Sequence, residues 1–213
     1  IGTSQWTPYL RFVHDQSFGI ADPIFGRDAG FYVFLLPFYK FLVGFLIGCL
    51  VVSTLVVGMI YAAAGGIQLQ ERIQVMPRPL AHLSGIGGVF MLVMAWRYRL
   101  KIYDLLYSKG RVAFGAGFVD ANVQVWTYWI LVILFVGTGL FLLSNVRTRS
   151  TRVPLIAAGI LVGGAVVVGS VPAALIQKLI VEPNELAREA PYIQNNIEAT
   201  NRAYGLDRIE EQD

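Results

Sequence analysis

Between Arg152 and Lys178 lie twenty-five residues, Val153 to Gln177, without one charged side chain. A helix needs about 20 apolar residues to cross ~30 Å of hydrocarbon. A spanning segment must also satisfy its own backbone hydrogen bonds. The run therefore predicts a transmembrane helix. A basic cluster (Arg147, Arg149, Arg152) bounds it on one side, and the polar turn Glu182-Pro183-Asn184-Glu185 on the other. Three more stretches have the same character, placing spans at about 37–64, 80–98, 123–143 and 153–178. The fold class expected is all-α and integral to the membrane: a four-span helical bundle with interfacial amphipathic helices. Residues 1–36 read as an interfacial lead-in, and 37–181 hold the spans. Residues 182–213 read as an extracytoplasmic segment leading to a domain beyond this chain.

Composition enters as support. The 213 residues are 55% hydrophobic and 15% charged, against about 25% charged in soluble domains. The net charge of +3 does not point to nucleic acid. The Lys and Arg residues sit in short loops beside apolar runs, as interfacial anchors do, and not in a basic footprint. Cys49 is the single cysteine and falls inside an apolar run, where a small core residue is expected. His14 and His82 have no ligand-like spacing. No metal site and no cofactor are expected. Gly115-Ala116-Gly117-Phe118-Val119-Asp120 resembles half of a dinucleotide fingerprint, but no strand precedes it and the third glycine is missing. A tight re-entry turn is the reading.

In the lead-in, Thr7-Pro8 suits a helix start, and Trp6, Leu10 and Val13 share one face of a short surface helix. Asp22-Pro23-Ile24-Phe25-Gly26-Arg27-Asp28 reads as a chain reversal. The first span begins at Pro37, and its Gly44 and Gly48 would permit close helix contact. Residues 65–79 read as a short polar loop. Residues 97–108 read as an interfacial extension of the second span, with tyrosines at headgroup level. Trp126, Tyr128 and Trp129 form a belt at the start of the third. The fourth carries Gly159, Gly163, Gly164, Gly169 and Ala173 at intervals near four, so it is expected at the bundle centre. Pro172 would kink it near its exit. In the tail, Pro191 would start a helix and Gly205 would stop it. Its stripe of Ile193, Ile197, Thr200 and Tyr204 needs a partner surface, expected in sequence beyond Asp213. The first thirty residues read as internal, so a piece of a longer polypeptide is expected.

Four spans put both ends on one side. Loops 65–79 and 144–152 hold five arginines. The opposite side holds Arg97, Arg99, Lys101, Lys109 and Arg111, with Arg11, Arg27, Lys40, Lys178 and Arg188. A raw count favours cytoplasmic ends, against the density of the Arg147–Arg152 cluster.

Specific motifs tie the chain to a family. They include Asp22-Pro23-Ile24-Phe25-Gly26, Phe31-Tyr32-Val33-Phe34, Pro37-Phe38 and His82-Leu83-Ser84. Tyr103-Asp104-Leu105-Leu106-Tyr107-Ser108, Gly115-Ala116-Gly117 and Asp120 add to them. So do Glu182-Pro183-Asn184-Glu185, Pro191-Tyr192-Ile193, Asn196-Ile197, Thr200 and Tyr204-Gly205-Leu206. In these the chain resembles the bacterial uncharacterised protein family 0182 over nearly its whole length. It departs from the family pattern at Phe118, where the pattern has Tyr, and at Asn201, where it has Arg. The resemblance implies a multi-pass membrane protein with a large extracytoplasmic domain. This chain would supply the last four spans, with both ends outward. The family has no established activity to carry over.

Three functions stay open. One is an anchor that positions an outside domain in the cell envelope. One is a transporter or channel subunit, although no span has a central ionisable group of the kind that marks ion paths. One is an envelope enzyme acting on lipid or glycan. Asp22, Asp104, Asp120, Glu182, Asn184 and Glu185 form a candidate polar cluster on the outer face, with Asp28 on the same side. Paired carboxylates serve acid–base chemistry or hold hard cations, whereas single ones cap helices and turns. No catalytic residue is assigned. The partners expected are the lipid bilayer, N-terminal spans and a C-terminal domain outside this chain. Homo-oligomerisation is left open.

Overall fold

The computed structural model describes residues 6–69, 73–108, 115–169 and 185–206. Among the described residues six α-helices carry the fold: α1 (Trp6–Val13), α2 (Leu36–Ala63), α3 (Pro77–Asp104), α4 (Val125–Thr148), α5 (Arg152–Gly169) and α6 (Glu185–Tyr204). One turn of π-helix, Phe31–Leu35, leads into α2, and another, Asp120–Gln124, leads into α4. Counting these lead-ins and the 3-10 turn Leu105–Tyr107 after α3, three helical runs among the described residues are long and apolar enough to cross a membrane. They are Phe31–Ala63, Pro77–Tyr107 and Asp120–Thr148. The 28 residues of α2 or α3 reach about 42 Å at 1.5 Å per residue. The fourth expected span is α5 as far as Gly169; its remainder, with Pro172 and Ala173, lies outside the described residues.

The structure corrects several expectations. Residues 65–79 hold a small antiparallel hairpin, β1 (Ile67–Leu69) and β2 (Ile73–Val75), with Ile67 opposite Val75. Gly65 makes this possible. Its φ of +72° ends α2 in the left-handed conformation that glycine enters freely. The Gly66 carbonyl then accepts the Met76 amide at 3.0 Å. Residues 97–104 do extend the second span as one continuous helix. α3 continues unbroken to Asp104, and Leu100, Ile102 and Tyr103 are buried in that last stretch. Tyr98 stacks on Phe135 of α4, with ring centroids 5.2 Å apart.

Among the described residues the bundle is centred on α3 and α4 and not on α5, the described part of the fourth span. These two helices touch backbone to backbone where two glycines meet. A Cβ on Gly88 would lie 2.9 Å from the Gly139 carbonyl oxygen, and one on Gly139 would lie 3.0 Å from that of Gly88. α5 packs on α4 through Ala157, which is buried, and Gly164, whose added Cβ would meet Leu134 at 2.4 Å. Two of its other glycines, Gly159 and Gly163, have no described atom within 4 Å of an added Cβ. Regular small-residue spacing marked a helix fit for close packing but did not say which face has a neighbour. The same holds for α2, where nothing lies within 4 Å of a Cβ on Gly44 or Gly48, and Cys49 is exposed.

At the far end of α4 the chain turns on Asn145, which is wholly buried. Its Nδ2 donates to Ser84 Oγ on α3 at 2.9 Å, and its Oδ1 accepts from Thr148 Oγ1 at 2.9 Å and the Ser150 amide at 2.7 Å. Its main-chain carbonyl takes the Arg149 amide at 2.8 Å. One residue thus satisfies the end of α4 and ties it to α3. Arg149 pays the conformational cost, with φ at +52°, a region that costs a side-chain-bearing residue about 1 kcal/mol or more.

The opposite end is stitched by aromatic rings. Tyr32, Leu36, Val43, Leu100 and Tyr103 form a buried cluster joining the lead-in, α2 and α3. Phe31 and Phe25 meet the Tyr103 ring edge to face at 4.9 and 5.6 Å. α1 docks by stacking Phe12 on Phe38 at 4.2 Å. Its Trp6, Leu10 and Val13 stay exposed.

Candidate functional site

The lead-in loop, the turn after α3 and helix α6 meet at this aromatic end and enclose a cavity of about 720 Å³. Two aspartates shape its loop wall. Asp22 Oδ1 accepts the amides of Ile24 and Phe25 at 2.9 and 2.6 Å. Its Oδ2 accepts the Arg27 amide at 2.9 Å and the Tyr32 hydroxyl at 2.7 Å. Asp28 closes the flanking turn, taking Ser17 Oγ at 2.6 Å and the amides of Phe18, Gly19 and Gly30 at 2.7–3.0 Å. The Ser17 hydroxyl first, and these amides with it, hold the Asp28 carboxyl down to about 2.

Asp120 lies behind the second wall. Its Oδ2 is 2.6 Å from Ser108 Oγ, which also lies 2.8 Å from the Gly115 carbonyl oxygen. The Gly115 amide donates back to Ser108 O at 2.9 Å. The half-fingerprint Gly115-Ala116-Gly117 is thus a re-entry turn clamped to the end of the 3-10 segment. Asp104 is elsewhere, paired with Lys40 across α3 and α2, and Lys40 Nζ also sits 5.9 Å from the Tyr107 ring centroid. Glu182 and Asn184 lie outside the described residues; Glu185 opens α6. Asp22 therefore lines the cavity, the Ser108–Asp120 clamp holds the Gly115–Ala116 wall from behind, and Asp104 does not join them. Asp22, Asp28 and Asp120 are each engaged by local partners, as turn and cap carboxylates are, and Asp104 is taken up by the Lys40 ion pair. Among the described residues no three His, Cys, Asp or Glu side chains could share a metal ion.

The third wall is α6, and sequence reasoning missed what fastens it. The Phe118 amide, at the head of the helical run into α4, donates to both carboxylate oxygens of Glu189 at 3.2 Å. Asn122 Nδ2 donates to the Tyr192 hydroxyl at 2.7 Å and to the Phe118 carbonyl at 2.9 Å. The Phe118 ring meets Tyr192 edge to face at 6.4 Å and the Arg188 guanidinium at 5.2 Å. Gly117 leaves room for this, since a Cβ there would lie 2.9 Å from Glu189 Oε2. Pro191 is not the start of α6 but lies inside it. The apolar stripe is not the face docked here: Ile197 is 47% and Tyr204 78% exposed. Tyr192, Asn195, Ala199 and Arg202, on another face, line the cavity.

Cations at this end are held by aromatic faces. Arg99 lies 4.6 Å from the Tyr103 ring centroid and 5.0 Å from that of Trp129. Lys101 lies 5.1 Å from Tyr98 and 6.0 Å from Tyr128. The interleaving Arg97-Tyr98-Arg99-Leu100-Lys101-Ile102-Tyr103 was the sequence signal for this belt.

Apolar helices long enough to span a bilayer, with a polar helix docked on one end, define a class: a helical protein built for a membrane. The match to known proteins is more particular. The whole chain, residues 1–213, fits the model of the Uncharacterised protein family (UPF0182), and the chain belongs to that family. It is 41% identical to a UPF0182 protein of Moorella thermoacetica, over 98% of this chain and 23% of that protein. It is 37% identical to one of Desulforamulus reducens, over 98% of this chain and 22% of the relative. A Cupriavidus necator relative is 39% identical, over 97% of this chain and 23% of its own length. The chain thus spans less than a quarter of these relatives. No solved structure matches it.

Proposed function

We propose that this chain is the membrane-anchoring part of a multi-pass protein of the cell membrane, and that it positions an extracytoplasmic domain. In this reading α2, α3, α4 and the helix begun by α5 cross the bilayer, and the lead-in and α6 lie outside. The observation that carries it is the fastening of α6: Glu189 and Tyr192 bind it to the turn that opens α4, while its Ile197 and Tyr204 stay exposed. A helix fixed on one face and apolar on another suits a bracket between a bundle and a following domain. Trp6, Leu10 and Val13 on α1 suit headgroup contact at the same level.

The reading takes the other end as the cytoplasmic one. Loops 65–79 and 144–152 carry Arg72, Arg78, Arg147, Arg149 and Arg152, a dense arginine cluster of the kind cytoplasmic loops carry, against a larger raw count of Lys and Arg on the opposite side. At the α6 end, Lys40, Arg99, Lys101 and Arg188 are engaged by a carboxylate or by rings.

The test is rescue of a deletion strain. The full-length protein should restore the wild-type state, and the outer domain exported without its spans should not. Full rescue by the detached domain would show that positioning is irrelevant.

A further inference from the structure

At the end away from α6, a groove of about 630 Å³ runs between α2, α3 and α4. Its mouth and its depth differ in chemistry. Arg78 stands in the first turn of α3, Arg149 caps α4, and Tyr61 lies near the end of α2. Further along, Leu50, Ile86, Val89, Leu143 and Val146 make apolar walls. His82 is held at the rim by Tyr61, whose hydroxyl lies 3.3 Å from Nδ1. A cationic mouth over an apolar slot has the polarity of a lipid. Guanidinium groups match phosphate oxygens in shape and charge, and basic pockets between spanning helices take anionic headgroups.

Charge complementarity fixes the kind of lipid. From residue 29 to residue 181 the chain has only Glu71, Asp104 and Asp120 as acids, and Asp104 and Asp120 belong to the other end. Among the described residues, Arg78, Arg147, Arg149 and Arg152 therefore share this end with no acid. Arg149 also holds a left-handed backbone where glycine is the usual cap. Relieving that strain would remove a charge from the groove.

We infer that the groove holds one anionic phospholipid, its phosphate between Arg78 and Arg149 and an acyl chain along Ile86, Val89 and Leu143. The site rests on the membrane reading above and adds to it a lipid preference at this leaflet.

The experiment uses the full-length protein reconstituted in vesicles of equal phosphatidylglycerol and phosphatidylcholine with matched chains. After extraction, retained lipid is counted by native mass spectrometry, and thermal midpoints are followed as each lipid is added back. The wild type should retain phosphatidylglycerol at least tenfold over phosphatidylcholine and gain several degrees from it. Arg78→Gln should lose that preference. So should Arg149→Gly, which keeps the fold because glycine suits the left-handed cap. Equal retention of both lipids, or unchanged preference in both variants, would overturn the site. A midpoint shift reproduced by inorganic phosphate alone would replace the lipid by a free anion. Release of the wild type from vesicles by alkaline wash would sink the membrane reading itself.

Discussion

The Phe118 amide donates to both carboxylate oxygens of Glu189, each at 3.2 Å, across 71 residues of sequence. A carboxylate at a helix N-terminus is favoured by the unpaired amides and the helix dipole there. This bond sets where α6 sits. Replacing Glu189 by Ala removes a charge-assisted hydrogen bond worth about 1–3 kcal/mol. Hydrogen exchange over residues 185–206 should speed up at least several-fold, with α3 and α4 unchanged. Gly117→Ala should act the same way more weakly, by pushing the carboxylate aside. Unaltered exchange in Glu189→Ala would mean that α6 is held by other contacts.

Asn145 should be the most sensitive polar residue of the bundle. Alanine there leaves Ser84 Oγ without its donor and the Ser150 amide without its acceptor. Polar bonds between membrane helices average ~0.6 kcal/mol and reach ~1.7. Asn145 makes several bonds, so a loss of about 1–2 kcal/mol is expected from thermal unfolding in detergent. A double-mutant cycle with Ser84→Ala should show coupling; strictly additive losses would deny the pair any role.

The glycines separate into two groups. Gly88→Ala puts a Cβ 2.6 Å from Leu143 Cγ and 2.9 Å from a main-chain oxygen, so α3 and α4 must part. Overpacking of this kind costs roughly 1–3 kcal/mol. Gly44→Ala and Gly48→Ala meet nothing within 4 Å and should be neutral or stabilise by up to ~1 kcal/mol. Thermal midpoints of the three variants give the order; destabilisation by the α2 pair would reveal a neighbour there.

Asp28 gives the lead-in loop a pH limit. Its carboxyl sits at about 2 in the fold against 3.8 free. A depressed carboxyl stabilises fully above its free value, and that contribution is lost as pH falls through the folded one. The loop should therefore resist pepsin at pH 4 and open progressively toward pH 2. Asp28→Asn, which cannot ionise, should be cut near Phe18 throughout. Equal cutting of wild type at pH 4 and pH 2 would remove the carboxylate from the account of the loop.

Much of this architecture was legible in the chain because charge-free runs leave few alternatives to long helices. The Asp22 and Gly115–Gly117 turns were legible too, since their residues solve local problems of backbone angle and amide pairing. Three things were not. The spacing of Gly159 and Gly163 showed a smooth helix face but not that no described residue lies against it. Pro191 looked like a helix start because proline fits there, yet the helix begins six residues earlier at Glu185. Glu189 and Asn145 were invisible because their importance comes from partners 71 and 61 residues away, and a single sequence carries no sign of such pairs.

Sidedness of the full-length protein in intact cells decides the most. Gln194→Cys on α6 and Thr151→Cys between α4 and α5 are both exposed positions. An impermeant maleimide should label the first from outside and reach the second only after the membrane is opened. Labelling of both from the same side, or the reverse order, would dismantle the picture of a bundle that crosses the bilayer with α6 fastened on its outer end.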